Sequence, residues 1–142
     1  MRILINIDVP DLTAAIHFYC TALGLTLNRI MDNDVAELSG GSSTLYLLLN
    51  PAGSKIDSQA SEVRHYARHW TPVHMDFVVD NIVAAAQQAI NAGAIQESEC
   101  ITWNGSTCIT FSDPFGHGFC LIEFAGTTYG DENNSASGIA SV

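Results

Sequence analysis

Residues 113–124 read DPFGHGFCLIEF, and the reading of this stretch decides the fold. Asp113, Pro114, Phe115 and Gly116 have the composition of a tight turn. The Asp side chain accepts backbone hydrogen bonds, Pro presets φ, and Gly tolerates the positive φ that a chain reversal demands. A run of β-formers follows from Phe119 to Phe124, so the stretch predicts a turn feeding a strand.

Working back from this turn, strands are expected at Thr107 to Phe111 and at Ile95 to Glu99. Before them come an Ala-rich helix capped by Asn81, running through Ala92 and ended by Gly93, and a strand from Val73 to Val79. The same order occurs 70 residues earlier, where Val9, Leu12, Ala14 and Ala15 match Val79, Ile82, Ala84 and Ala85, and Asp11 matches Asn81. An internal repeat of this kind governs the reading of the whole chain. In the first copy Ile3, Ile5, Ile7 and Val9 lie on one face of a strand, with Leu4, Asn6 and Asp8 on the other. Asp11 opens a helix on which Leu12, Ala15, Ile16, Tyr19 and Leu23 recur at helical spacing, and Gly24 closes it. Strands are expected at Leu25 to Met31, Val35 to Leu38 and Thr44 to Leu49, with turns at Asp32-Asn33 and Gly40-Gly41.

The expectation is therefore an α+β domain over residues 1–126 made of two βαβββ modules. Module one spans about 1–50, a connector 51–71, and module two 72–126. Residues 127–142, rich in Thr, Gly, Asn, Ser and Ala, read as a flexible tail. The connector ends in a basic and aromatic cluster, Arg64, His65, Tyr66, Arg68, His69 and Trp70, part of which suits a short helix.

A chain of 142 residues suits one domain. Fifteen acidic residues against five basic give a net charge of −10, which disfavours nucleic acid as a partner, since a phosphate backbone calls for a basic patch. The acidic surface either attracts a cationic small molecule or serves solubility. No apolar run is long enough for a membrane span and the N-terminus lacks a signal-peptide pattern, so a cytoplasmic protein with no membrane partner is expected. Cys20, Cys100, Cys108 and Cys120 show no C-x-x-C spacing and read as reduced thiols, although Cys100 and Cys108 are placed to face each other across a hairpin.

Three stretches resemble the vicinal oxygen chelate superfamily of glyoxalases, bleomycin-resistance proteins and extradiol dioxygenases: V-x-D-L-x-x-A-x-x-F-Y at Val9 to Tyr19, HMDFVVDNIVAA at His74 to Ala85, and DPFGHGF. The resemblance implies that the two modules form an eight-stranded open barrel around a cavity, with the helices outside, and that the protein is a homodimer. In metal-binding members four ligands converge, and the motifs carry them onto Leu4, Tyr46, His74 and Cys120. Leu4 offers no lone pair, and Tyr46 and Cys120 stand where the family has glutamates. Neither metal nor other cofactor is therefore expected, a divalent ion at His74 being the disfavoured alternative.

The residues expected to face a small-molecule ligand are Asn6, Asp8, Tyr46, Leu48, His74, Asp76, Cys120 and Ile122. His74 is the candidate catalytic residue, as a donor or general base that titrates near neutral pH; the plainer alternative is a strand histidine hydrogen-bonded in place. Cys120 reads as an inert buried thiol, since a nucleophile needs a lowered pKa. His65 and His69, four residues apart, suit either a metal pair on a helix or an exposed basic connector. Arg64 and Arg68 suit either pairing with acidic groups of a second subunit or meeting a carboxylate substrate at the cavity mouth, and His117 either a local hydrogen bond or a place facing solvent. The leading expectation is a metal-independent binder like the drug-sequestering bleomycin-resistance proteins. The alternatives are a metal-dependent lyase or dioxygenase that recruits Asp8, Asp76 or Cys120 beside His74, and a metal-free enzyme with His74 as base.

Overall fold

Alternation of side chains sets the first strand. In the computed structural model, which describes residues 1–125, Leu4–Val9 forms β1 with Ile7 and Val9 buried and Leu4 and Asn6 exposed. Asp11 then caps α1 (Leu12–Leu23), its carboxylate accepting the Ala14 N–H at 2.9 Å, and Gly24 ends the helix at φ +66°. β2 (Thr26–Met31), β3 (Val35–Ser39) and β4 (Thr44–Leu49) follow. Asp32 and Asn33 supply the two positive-φ residues, at 50° and 64°, that a tight β2–β3 hairpin needs. β4 lies parallel to β1, giving the strand order β1-β4-β3-β2.

Module two repeats the plan. β5 (Met75–Val78) leads into α2 (Ile82–Ala92), capped by Asn81 and closed by Gly93. β6 (Ile95–Gln96), β7 (Ile101–Trp103), β8 (Ser106–Ser112) and β9 (Gly118–Glu123) complete it. The order is β5-β9-β8-β6, with β7 also paired to β8, and β5 runs parallel to β9 as β1 does to β4. The repeat in the sequence is thus a repeat of topology, and the α+β class holds.

Two details depart from expectation. The strand expected from Ile95 to Glu99 breaks after Gln96 and resumes as β7, so the described residues hold nine strands, in open sheets of four and five. Two side-chain contacts accompany the break. Ser98 Oγ accepts the Thr110 N–H at 3.0 Å in place of a ladder partner, and the Glu97 side chain is drawn to Arg68, whose Nε and Nη2 each reach it at 2.6 Å. Secondly, no helix forms in the connector, which runs as turns and extended chain up to β5. The proposed tail, 127–142, lies outside the described residues.

The two modules share one core. Each helix packs on its own sheet and on the other helix, and Gln88 Nε2 donates to the Thr21 carbonyl at 2.7 Å between them. The ring of Phe18 from α1 meets Phe115 and Phe119 of module two edge-on, with centroids 6.3 and 6.5 Å apart. Beside it, the Tyr19 hydroxyl donates to Asp113 Oδ2 at 2.7 Å across 94 residues of sequence. Asp113 is buried, and its Oδ1 accepts the N–H groups of Phe115 and His117 at 2.9 and 2.8 Å. One carboxylate therefore both closes its own turn and fastens that turn to the helix of the other module.

The connector lies over this turn, which explains two of its residues. Gly116 sits at φ +91°, and a Cβ there would stand 2.4 Å from the Tyr66 carbonyl oxygen; a Cβ at Gly118 would stand 2.8 Å from Arg68 Nη2. The connector is tied to both modules, by Arg64 Nε to Asp8 at 2.6 Å, by the Tyr66 hydroxyl to the Asn50 carbonyl at 2.5 Å, and by Arg68 to Glu97. Tyr19→Phe is expected to lower unfolding free energy by about 1–2 kcal/mol, because it removes one of several donors to a buried carboxylate. Gly116→Ala should cost more, since it meets both a rare φ and backbone atoms. Urea denaturation measures both.

Candidate functional site

The pairing of β5, β9 and β8 builds the site. Asp76 lies opposite Cys120, and Cys120 opposite Thr110. Alternation along β5 and β9 puts His74, Asp76, Cys120 and Ile122 on the sheet face turned away from the helices. His74 Nε2 stands 3.3 Å from Asp76 Oδ1. One donor atom from each of His74, Asp76 and Cys120 lies within 4.8 Å of the others. The Trp70 ring packs on the His74 imidazole with centroids 4.7 Å apart, and the Arg68 guanidinium lies 5.5 Å from the Trp70 ring. The connector thus presses an aromatic side chain onto the histidine.

His74 and Asp76 are partly exposed, with side-chain exposures of 34% and 40%, whereas Cys120 is 6% exposed. Burial pushes the Cys120 thiol up to about 12, against a smaller opposing pull from Thr110, whose hydroxyl lies 3.6 Å from the sulfur. The neighbouring Cys108 thiol and the Asp76 carboxylate add to the rise. The thiol is protonated near neutral pH and is no nucleophile there.

Module one presents a different face. Register aligns Asn6, Tyr46, Glu37 and Arg29 across β1, β4, β3 and β2. The Tyr46 hydroxyl donates to Glu37 Oε2 at 3.0 Å, and Arg29 donates to the same oxygen at 2.8 and 3.2 Å. Hydrogen bonds from Arg29, then Tyr46, hold the Glu37 carboxyl below the usual range. Asp8 accepts from Arg64 at 2.6 Å and from Asn50 Nδ2 at 2.8 Å. Leu48 is half-buried and Leu4 exposed. Glu37 did not figure among the expected site residues. Its signal lay in the pattern of VAELS, where buried Ala36 and Leu38 turn Glu37 to the open face.

Two cavities lie where the modules meet. The larger, about 760 Å³, runs between the edges of β1 and β5, with Ile5, Leu45, Met75, Phe77, Gln88 and the 40–43 turn in its walls. The smaller, about 380 Å³, is lined by Asn6, Asp8, Thr71, Val73, His117 and their neighbours. His74 lines both. Of the other expected residues, Asp76 lines the larger and Asn6 and Asp8 the smaller, while Tyr46, Leu48, Cys120 and Ile122 line neither. The larger cavity draws many of its walls from side chains on the helix side of both sheets. The His65 and His69 rings lie tilted to each other with centroids 5.0 Å apart, both residues exposed. His117 Nδ1 lies 2.8 Å from Asp113 Oδ2, the first of its two expected placements.

The two paired βαβββ sheets have the architecture of the glyoxalase fold. The chain matches the glyoxalase-like domain family over residues 4–122 and belongs to it. Among solved structures it is similar to a glyoxalase/bleomycin resistance protein/dioxygenase family enzyme from Burkholderia phytofirmans, with a TM-score of 0.68 and 20% identity over 86% of this chain and 97% of that one. It is similar also to a lactoylglutathione lyase from Agrobacterium tumefaciens, with a TM-score of 0.62 and 20% identity over 87% and 92% of the two chains. A glyoxalase-related enzyme from Fulvimarina pelagi gives 0.68 and 13% identity over 87% and 88%. At these identities the likeness is one of fold. No curated protein matches.

Two of the four positions onto which the resemblance carries metal ligands are poorly suited to that role. Leu4 has no donor atom, and the Tyr46 hydroxyl is engaged by Glu37. Among cysteines, iodoacetamide at about pH 8 should modify exposed Cys100 first and buried Cys120 last, as read by peptide mass spectrometry. Equal rates at the two would contradict the raised Cys120 thiol.

Proposed function

We propose that this glyoxalase-like protein binds a small organic molecule in the cleft between its modules, without the family's four-ligand metal site. The observation that supports this reading is the position of His74, at the junction of a 760 Å³ and a 380 Å³ cavity. Small-molecule sites commonly occupy about 300–1,000 Å³, with mostly apolar walls and a few polar groups that fix orientation. Here Ile5, Leu45, Met75 and Phe77 supply apolar wall, and His74, Asp76, Ser43 and Gln88 the polar groups.

The guest is cationic. Asp76 is among the residues that line the larger cavity, and the chain carries a net charge of −10, both of which favour a positive guest. His74 donates to or accepts from the guest, and it is the group placed to act as base should the guest carry an acidic C–H. The protein works as a homodimer in the cytoplasm, where its four thiols stay reduced. Val78, Ile101 and Trp103 are exposed around the open face of the second sheet, and a second copy would cover them.

Screening cationic drugs and metabolites in EDTA should find compounds that raise the melting temperature, because binding to the native state stabilises it. Asp76→Asn should weaken a hit by about tenfold with the fold intact, the loss expected for a charge-assisted contact. A library that shifts nothing at saturating concentration, or hits indifferent to Asp76, would sink the reading. Sedimentation velocity at micromolar concentration should show a dimer, and a monomer would remove the second copy from it.

A further inference from the structure

We propose that His74, Asp76 and Cys120 form a three-donor site for a thiophilic divalent ion of the zinc class, held by module two alone. The site goes beyond the cleft reading and does not need a guest. It also differs from the family quartet: two of that quartet's positions, Leu4 and Tyr46, take no part, and Asp76 enters from two residues along β5.

The geometry comes from pairing. Cys120 and Asp76 are direct neighbours on adjacent strands, and His74 lies one pleat away on the same face. In a tetrahedral zinc site with bonds of about 2.0–2.3 Å, donor atoms stand about 3.3–3.8 Å apart. The edge from His74 Nε2 to Asp76 Oδ1 is already 3.3 Å, and all three donors fall within 4.8 Å. Closing the wider edges to that spacing needs a movement of at most about 1–1.5 Å. His74 and Asp76 have room for it, since both are partly exposed. Trp70 packed on the imidazole and Thr110 beside the sulfur restrict the two ligands in the way outer partners of a metal site do.

The donor chemistry selects the ion. One thiolate, one imidazole and one carboxylate suit zinc better than magnesium or calcium, which prefer all-oxygen sets. Binding releases the Cys120 proton to solvent and forms the metal–sulfur bond. The thiolate and the Asp76 carboxylate together balance the two positive charges, so the occupied site carries no net charge. Three protein ligands leave the fourth position for water.

The full chain, stripped with EDTA and dialysed under anaerobic conditions, is titrated with cobalt(II) as the spectroscopic probe. A thiolate-to-cobalt charge-transfer band and tetrahedral visible bands should rise to saturation at a single equivalent, and zinc should abolish them. Cys120→Ser should lose the charge-transfer band, His74→Gln and Asp76→Asn should weaken binding at least about tenfold, and Cys108→Ser should keep the band. Circular dichroism of each metal-free variant confirms that it folds. A wild-type chain with no charge-transfer band overturns the proposal, as does a band that survives Cys120→Ser. Because the guest screen is run in EDTA, loss of the ion site with guest binding intact overturns only the ion, and guest failure with cobalt binding intact overturns only the cleft reading.

Discussion

The hydrogen bond from the Tyr19 hydroxyl to Asp113 ties the two halves of this architecture together within the core. It joins a helix of module one to a turn of module two, at 2.7 Å and out of water. Burial and the neighbouring Asp113 charge push the Tyr19 hydroxyl well above its ordinary pKa, so it remains a donor at any physiological pH. A buried carboxylate needs its lone pairs filled, and here Tyr19, His117 and two backbone N–H groups fill them. The turn is thereby fixed in one conformation. The connector can then lie across it, and Gly116 and Gly118 are the residues that let the connector come so close.

From that contact the site follows by a short chain of causes. The connector, pinned by Arg64 to Asp8 and by Arg68 to Glu97, delivers Trp70 onto His74. The two modules repeat the same backbone plan but not the same chemistry. On module one the polar side chains of the open face satisfy one another, through Arg29, Glu37 and Tyr46 and through Asp8 and Arg64. On module two His74, Asp76 and Cys120 converge, two of them partly exposed. The polar groups of one open face are paired with one another, while on the other His74 and Asp76 stand partly exposed beside buried Cys120.

Much of the fold was legible in the sequence because its signals are local. The caps Asp11 and Asn81, the closing Gly24 and Gly93, the Asp32-Asn33 hairpin and the DPFG turn each act within a few residues, and the 70-residue repeat fixed their order. What escaped depends on distant partners. Nothing near Glu97 announces that its side chain will pair with Arg68, 29 residues away. Nothing near Asp8 announces Arg64, 56 residues away. The site was half legible for the same reason. Alternation put His74, Asp76 and Cys120 on one face, and they do meet. The cavities depend on how the β1 and β5 edges face each other, so Tyr46, Leu48, Cys120 and Ile122 share the expected faces without lining either.

The central claim is that the two modules form one cooperative unit fastened at Tyr19 and Asp113. Native-state hydrogen exchange across a denaturant series tests it most directly, read at the Phe115 and His117 amides that bond to Asp113 and at the core amides of α1. The account predicts that these amides in both modules exchange with the same free energy and the same denaturant slope as global unfolding. Exchange of the Phe115 and His117 amides through a cheaper opening, with α1 still protected, would contradict it.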